Sequence, residues 1–273
     1  DGFETRPQVH DTPLTENAVL GFEYGYTLGR RDALTIWEAQ FGDFLNVCQS
    51  MFDQFIMCGE DRWLFESNLV MLLPHGLDGG GPDHATAHPE RLLAACAKGN
   101  IQVVNLSTPA NLFHALRRQV LAQWRKPLVV LAPKALLRHP GAKSKLSDLS
   151  GSFQPVIATH RKAKRVILST GKLAVLLEQA EPDAALIRLE QLYPLPEQAL
   201  RDALAPYPEA ELVWAQEEPE NMGYFQWLDR KLEAITGRPW RLVTRPASPA
   251  ASSGPKKWDD RALKAVISEA IGA

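Results

Sequence analysis

The chain has 273 residues, with 30 Lys and Arg against 32 Asp and Glu, a formal net charge of −2, and 45% hydrophobic against 23% charged residues. That is the profile of a globular protein with one large domain or two ordinary ones. A near-neutral chain without a basic run does not neutralise phosphates, so non-specific nucleic-acid binding is excluded, and no apolar stretch approaches the roughly 20 residues of a spanning helix.

The opening DGFETRPQVHD is polar and acidic, unlike a signal or transit peptide. A first helix is expected through TENAVLGFEYGYTL, with Thr15 as its N-cap. LTIWE (34–38) reads as a buried strand, and Phe44 to Cys58 has apolar positions at helical spacing. LVMLL (69–73) is a second buried strand, PERLLAACAKGN a helix with Pro89 in its first turn, and IQVVNLS (101–107) a strand. Thr108-Pro109 opens the helix ANLFHALRRQVLAQW, and PLVVLAP (127–133) is a further strand. From Lys134 to Lys164 the pattern weakens into Pro, Gly, Ser and Lys, a crossing segment between domains. A second unit follows: strands in RVILST, AALIRLE, ELVWAQE and WRLVT, and helices through LAVLLEQA, PEQALRDAL, FQWLDRKLEAI and WDDRALKAVISEAI. The expected architecture is α/β: two three-layer domains, 1–150 and 151–273, on largely parallel sheets. Cys48, Cys58 and Cys96 are odd in number and lack CxxC spacing, which fits reduced thiols in a cytoplasm-like compartment.

In open parallel sheets ligands bind beyond the carboxyl ends of the strands. Two Gly-containing strand exits qualify: Glu38 to Phe44, and PHGLDGGGPDHATAHPERLL (74–93). The second is not a Walker loop, because no Gly-Lys-Ser/Thr follows, and it does not fit GxGxxG opening a helix. Its histidines, His75, His84 and His88, lack the spacing of a metal site; acid–base or carboxylate-binding use of one or two of them is expected. Glu16 and Glu23 share a face of the first helix, and Glu16 lies among apolar residues at its start. Burial there would raise its pKa and let it share a proton with a ligand; the plainer alternative is a solvated carboxylate. The basic residues around 117–126 read as a solvated helix face or as contacts to a partner or acidic effector.

GFEYGY (21–26), TIWEAQFGDF (35–44), VMLLPHG (70–76), GGPDH (80–84), STPANLFHALRRQ (107–119), KPLVVLAPKALLRHP (126–140), SGSFQPVI (150–157), RLEQLYPLP (188–196), QEEPENMG (216–223) and RPASPA (245–250) occur in one order along nearly the whole chain. Together they resemble the thiamine-diphosphate-dependent decarboxylating component of the 2-oxoglutarate dehydrogenase complex. The resemblance implies a transketolase-type pyrimidine-binding domain followed by a transketolase C-terminal domain. It implies that Glu16 hydrogen-bonds the cofactor's pyrimidine ring, with Phe41 and Phe44 as the aromatic wall and Phe44 as the direct stacking partner. It makes His84 the active-site histidine and His75 a second candidate near the reactive carbon. The family usually reads HSSAR where this sequence has His84-Ala85-Thr86-Ala87-His88.

The resemblance further implies a diphosphate-binding domain ahead of this region, whose GDG…N element holds Mg²⁺. No such element occurs in these residues, so no metal ligands are expected here, and the chain is expected to be a C-terminal portion, inactive alone. The site would then form in a homodimer, or with a partner chain supplying that domain, and a lipoyl-bearing succinyltransferase would take the product. The compartment implied is a bacterial cytoplasm or a mitochondrial matrix. Alternatives are a dehydrogenase for 2-oxoadipate or a branched-chain 2-oxo acid, and a non-catalytic dimerisation module.

Overall fold

The computed structural model describes residues 11, 15–77, 80–159, 162–180 and 182–272. The polar N-terminal stretch, Leu14, and positions 78–79 of the glycine loop lie outside them. Ten strands form two five-stranded sheets. The first has the order β1 (Ile36–Glu38), β2 (Val70–Leu73), β4 (Leu128–Leu131), β3 (Gln102–Asn105) and β8 (Gln191–Tyr193). The second runs β10 (Arg241–Arg245), β9 (Glu211–Pro219), β6 (Arg165–Ser169), β7 (Ala185–Leu189) and β5 (Val156–Ala158). In each sheet four strands are parallel and one edge strand is antiparallel: β8 against β3, and β5 against β7.

The expected strand–helix alternation is present. α1 (Glu16–Gly29) starts at Thr15, whose hydroxyl accepts from Ala18 N. The helix α5 (Pro109–Leu121) starts at Thr108, which accepts from Asn111 N, with Pro109 in the first turn, where no backbone donor is needed. The segment after Phe44 departs from a single α-helix. It winds as a 3₁₀ run (Gly42–Cys48), one turn α2 (Gln49–Met51) and a π run (Phe52–Ile56). The bond from Met57 N to Phe52 O widens that last turn, and Phe52 and Ile56 both stay buried. After the short α3 (Gly59–Trp63), α4 (Pro89–Ala94) ends sooner than the pattern suggests. There the Asn100 side chain takes over, donating to Ala95 O and Met57 O and accepting from Ala97 N. The second unit adds α6 (Gly171–Gln179), α7 (Glu197–Leu204), α8 (Phe225–Thr236) and α9 (Lys256–Ile271).

The basic stretch near 117–126 is mostly not a solvated face. The Arg118 guanidinium stacks 4.0 Å over the Phe153 ring and donates to Gln191 and Gln102. Arg125 donates to Thr27 O, Arg31 O and Asn68, and Lys126 pairs with Glu60; Arg117 stays exposed. Long aliphatic stems let these charges reach acceptors inside the fold, which a charge pattern alone does not show.

The two sheets meet at their carboxyl ends. Thr170, leaving β6, donates to Asn105 O at the end of β3, and Asn105 Nδ2 donates to Tyr224 Oη. Glu190, leaving β7, is followed at once by β8, so one continuous segment serves both sheets. The Glu190 backbone oxygen accepts from Asn105 N, and its carboxylate accepts from Ser107 N, Ser107 Oγ and Asn111 Nδ2. A hydrophobic cluster runs through the same region, from Leu20 and Phe52 under the first sheet to Trp214 and Leu228 under the second. The cysteines of the described residues are free; burial, with Glu16 adding, pushes the Cys48 thiol up to about 12, so it stays protonated.

Candidate active site

The parallel strands of the first sheet deliver their exits to one edge. The β1 exit carries Phe41 and Phe44, and the β2 exit carries His75 and His84. Phe41, Phe44 and His84 form one cluster. The His84 ring stands edge-on to Phe41, with centroids 4.3 Å apart, and lies 5.6 Å from Phe44; the two phenyl rings are 5.8 Å apart. All three rings are half-buried, so each keeps accessible surface for a flat ligand to meet. His84 Nδ1 lies 2.8 Å from the exposed Asp83 carboxylate. Lys134, leaving β4, places its ammonium 3.7 Å from the Phe41 ring centroid and donates to Gln40 O.

Glu16 is half-buried in the first turn of α1, where the helix N-terminus favours a carboxylate. It lies close enough to Cys48 to act on the thiol, one turn beyond Phe44. Asn17 accepts from Ser50 Oγ and fixes this end of the helix to α2.

His75 sits apart from the aromatic cluster. It is 4% exposed, and both ring nitrogens are engaged. Nδ1 accepts from Ala87 N at 3.1 Å, and Nε2 lies 2.6 Å from Glu218 Oε1, at the end of β9. Accepting at Nδ1 requires a lone pair there, so Nε2 carries the proton and donates to Glu218. Burial lowers the His75 pKa, while Glu218, with Glu217 and Glu90 behind it, raises it above its ordinary value in sum. Protonating Nδ1 would cost the Ala87 bond. His88, at φ 49°, pairs with Glu90, whose other oxygen accepts from Gly223 N in the second unit.

Several residues of this region lie within the quoted motifs TIWEAQFGDF and QEEPENMG without being singled out as candidates. Asp43, 6% exposed, accepts from Thr86 N at 2.8 Å. Burial pushes its carboxyl up, and the Thr86 and Ala85 N–H groups pull it back. Glu217 pairs with Lys172 at 2.8 Å, both buried. The available signal was a lone acid between apolar neighbours for Asp43, the same signal that marks Glu16, and an acid pair ending an apolar strand for Glu217 and Glu218.

Gly42 sets how closely the two strand exits approach. Its N–H donates to Pro74 O at 2.9 Å, and an added Cβ would stand 2.5 Å from both Pro74 O and Ala87 Cβ. Neither can swing aside as a side-chain tip would. Gly42→Ala is expected to cost about 1–3 kcal/mol as overpacking. It would also widen the gap between the aromatic pair and His84. Thermal unfolding of the full-length protein checks this; an unshifted transition would show that the loops tolerate separation.

The sequence resemblance implies thiamine diphosphate as cofactor. A half-buried carboxylate at a helix start and accessible aromatic rings suit the flat, nitrogen-bearing pyrimidine ring of thiamine diphosphate. Among the described residues no group of three His, Cys, Asp or Glu could hold a metal ion, and no helix is long and apolar enough to cross a membrane.

Two largely parallel sheets, with these side chains gathered at the carboxyl edge of the first, define an open-sheet α/β protein, and that edge is where ligands bind in such folds. The chain belongs to the transketolase pyrimidine-binding family: the model described as "Transketolase, pyrimidine binding domain" matches residues 2–140. A second model, "2-oxoglutarate dehydrogenase C-terminal", matches residues 143–271. The chain is 45% identical over 286 aligned residues to the 2-oxoglutarate dehydrogenase E1 component of Brucella abortus, covering 95% of this chain and 28% of that relative. The E1 component of Brucella ovis is 44% identical over the same shares. The chain thus spans about 28% of the length of the curated relatives it matches.

Proposed function

We propose that this chain forms the pyrimidine-activating half of a thiamine-diphosphate-dependent 2-oxoglutarate dehydrogenase component. The observation that carries the reading is the joining of Phe41, Phe44 and His84 into one cluster at the carboxyl edge. The bound cofactor supplies a carbon nucleophile for the decarboxylation of 2-oxoglutarate. Glu16 holds a hydrogen bond to a pyrimidine ring nitrogen and Phe44 stacks on the ring, with Phe41 completing the wall. His84 binds the substrate carboxylate or moves a proton next to it. The diphosphate and its Mg²⁺ are held by a further domain, from a second copy in a homodimer or from a partner chain. The succinyl group passes to a lipoyl arm of a partner acyltransferase, and the reaction takes place in the cytoplasm of a bacterial cell.

Turnover by the full-length protein with thiamine diphosphate and Mg²⁺, compared across 2-oxoglutarate, 2-oxoadipate and branched-chain 2-oxo acids, tests this. The highest kcat/KM is expected for 2-oxoglutarate. A clear preference for another acid would reassign the substrate, and no turnover of any would point to a non-catalytic module. His84→Ala is expected to lower kcat/KM about 10²-fold, as loss of a positioned acid–base group does; unchanged kinetics would remove His84 from the site.

A further inference from the structure

Two neighbouring backbone N–H groups just after His84 are gripped by side chains from different strand exits. Thr86 N donates to Asp43 Oδ2 at 2.8 Å, and Ala87 N donates to His75 Nδ1 at 3.1 Å. Both acceptors are buried, at 6% and 4% exposure. The two grips differ in where they are anchored. His75 is braced by Glu218 in the second sheet. Asp43 belongs to the run Phe41-Gly42-Asp43-Phe44 and so shares its backbone with the aromatic wall. His84 itself has only the exposed Asp83 as a polar side-chain partner among the described residues, too weak a hold to fix a ring. His84 N to Gly81 O and Gly76 N to Ala85 O are internal to the loop, and Gly42 N to Pro74 O joins the aromatic segment to the start of the loop, well before His84, so Asp43 is the tie that acts next to the histidine.

We propose that Asp43 is the positioning residue that registers His84 against the Phe41–Phe44 wall, tying the aromatic segment to the histidine loop through one buried carboxylate. This rests on reading the cluster as the site of 2-oxo acid chemistry. Asp43 acts through Thr86 and not on the substrate. What the role needs is an oxygen acceptor at that place, not a negative charge.

The test uses the full-length protein carrying Asp43→Ala or Asp43→Asn, with two readouts. Hydrogen exchange followed by mass spectrometry over residues 76–91 reports the grip on Thr86; steady-state kinetics reports its effect on His84. Asp43→Ala is expected to speed exchange in that peptide about tenfold, as local opening becomes easier. It is expected to lower kcat about 10²-fold, the scale of an ångström-sized misplacement. Asp43→Asn can keep an oxygen on Thr86 while its amide nitrogen meets the Ala85 N–H, so it should exchange more slowly than the alanine variant and bring kcat to within about tenfold of the unmodified protein. Unchanged exchange and kcat in the alanine variant would overturn the proposal. So would an asparagine variant as impaired as alanine, since charge would then be what matters. If the alanine variant does not fold, Asp43→Ser, polar but too short to reach Thr86 N, takes its place under the same two criteria. If the unmodified protein turns over no 2-oxo acid, the functional reading fails, and the exchange measurement still decides whether Asp43 holds the loop.

Discussion

Glu16→Ala in the full-length protein is expected to lower thiamine-dependent 2-oxo acid decarboxylation by about 10²–10⁴-fold, the range for losing a positioned proton-sharing group. Thr15 caps α1, and the chain direction then presents Glu16 in the first turn, half-buried beside the Phe44–Cys48 winding. A flat ring stacked on Phe44 would complete the burial of this carboxylate. In that drier setting a hydrogen bond from carboxyl to ring nitrogen is stronger than in water, and its removal leaves the nitrogen unpartnered. The loss should appear in kcat, while binding through the diphosphate persists. Measuring kcat and thiamine diphosphate affinity separately checks this, and near-normal kcat in the alanine variant would remove Glu16 from the mechanism.

The second large effect concerns stability. Glu190→Ala is expected to cost about 3–5 kcal/mol, the scale of removing one partner from a buried charged network. Glu190 is fully buried; burial raises its pKa, and Ser107, Asn111 and Arg188 oppose that shift. Its two oxygens accept from Ser107 N, Ser107 Oγ and Asn111 Nδ2, and Arg188, which also donates to Ser107 Oγ and pairs with Glu178, stands close by. Alanine would leave these donors without an acceptor where water does not reach. Glu190→Gln is gentler in shape but turns an N–H toward existing donors, and should cost about 1–3 kcal/mol. Urea unfolding of the full-length protein would show both. A loss under about 1 kcal/mol for alanine would mean that water enters to replace the carboxylate.

Much of this was legible in the sequence, and the reasons are local. Thr15 and Thr108 mark helix starts because a hydroxyl can reach an N–H three residues ahead. Continuous apolar runs such as VMLL and LVVL mark parallel strands because both their faces are covered. Glu16, Phe41, Phe44 and His84 were reached through motif resemblance, and the structure gathers the two phenyl rings and the imidazole. What was not legible depends on distance along the chain. Asp43 meets Thr86 across 43 positions, and His75 meets Glu218 across 143. No periodicity records such pairs. The strands β5 and β8, three residues each, are too short to show an alternation, and β8 exists because β3 offers it an open edge.

The uninterrupted passage from β7 through Glu190 into β8 limits how this molecule could be recombined. A graft that exchanged residues 151–273 for those of a distant relative would carry off the strand that closes the first sheet, together with the acid that caps Ser107 and Asn111. Unless the incoming segment supplied a strand in the same register, β3 would be left as a bare edge, open to pairing with another chain. A working exchange would therefore have to keep the acid at 190 in register with Asn105, Ser107 and Asn111 on the other side.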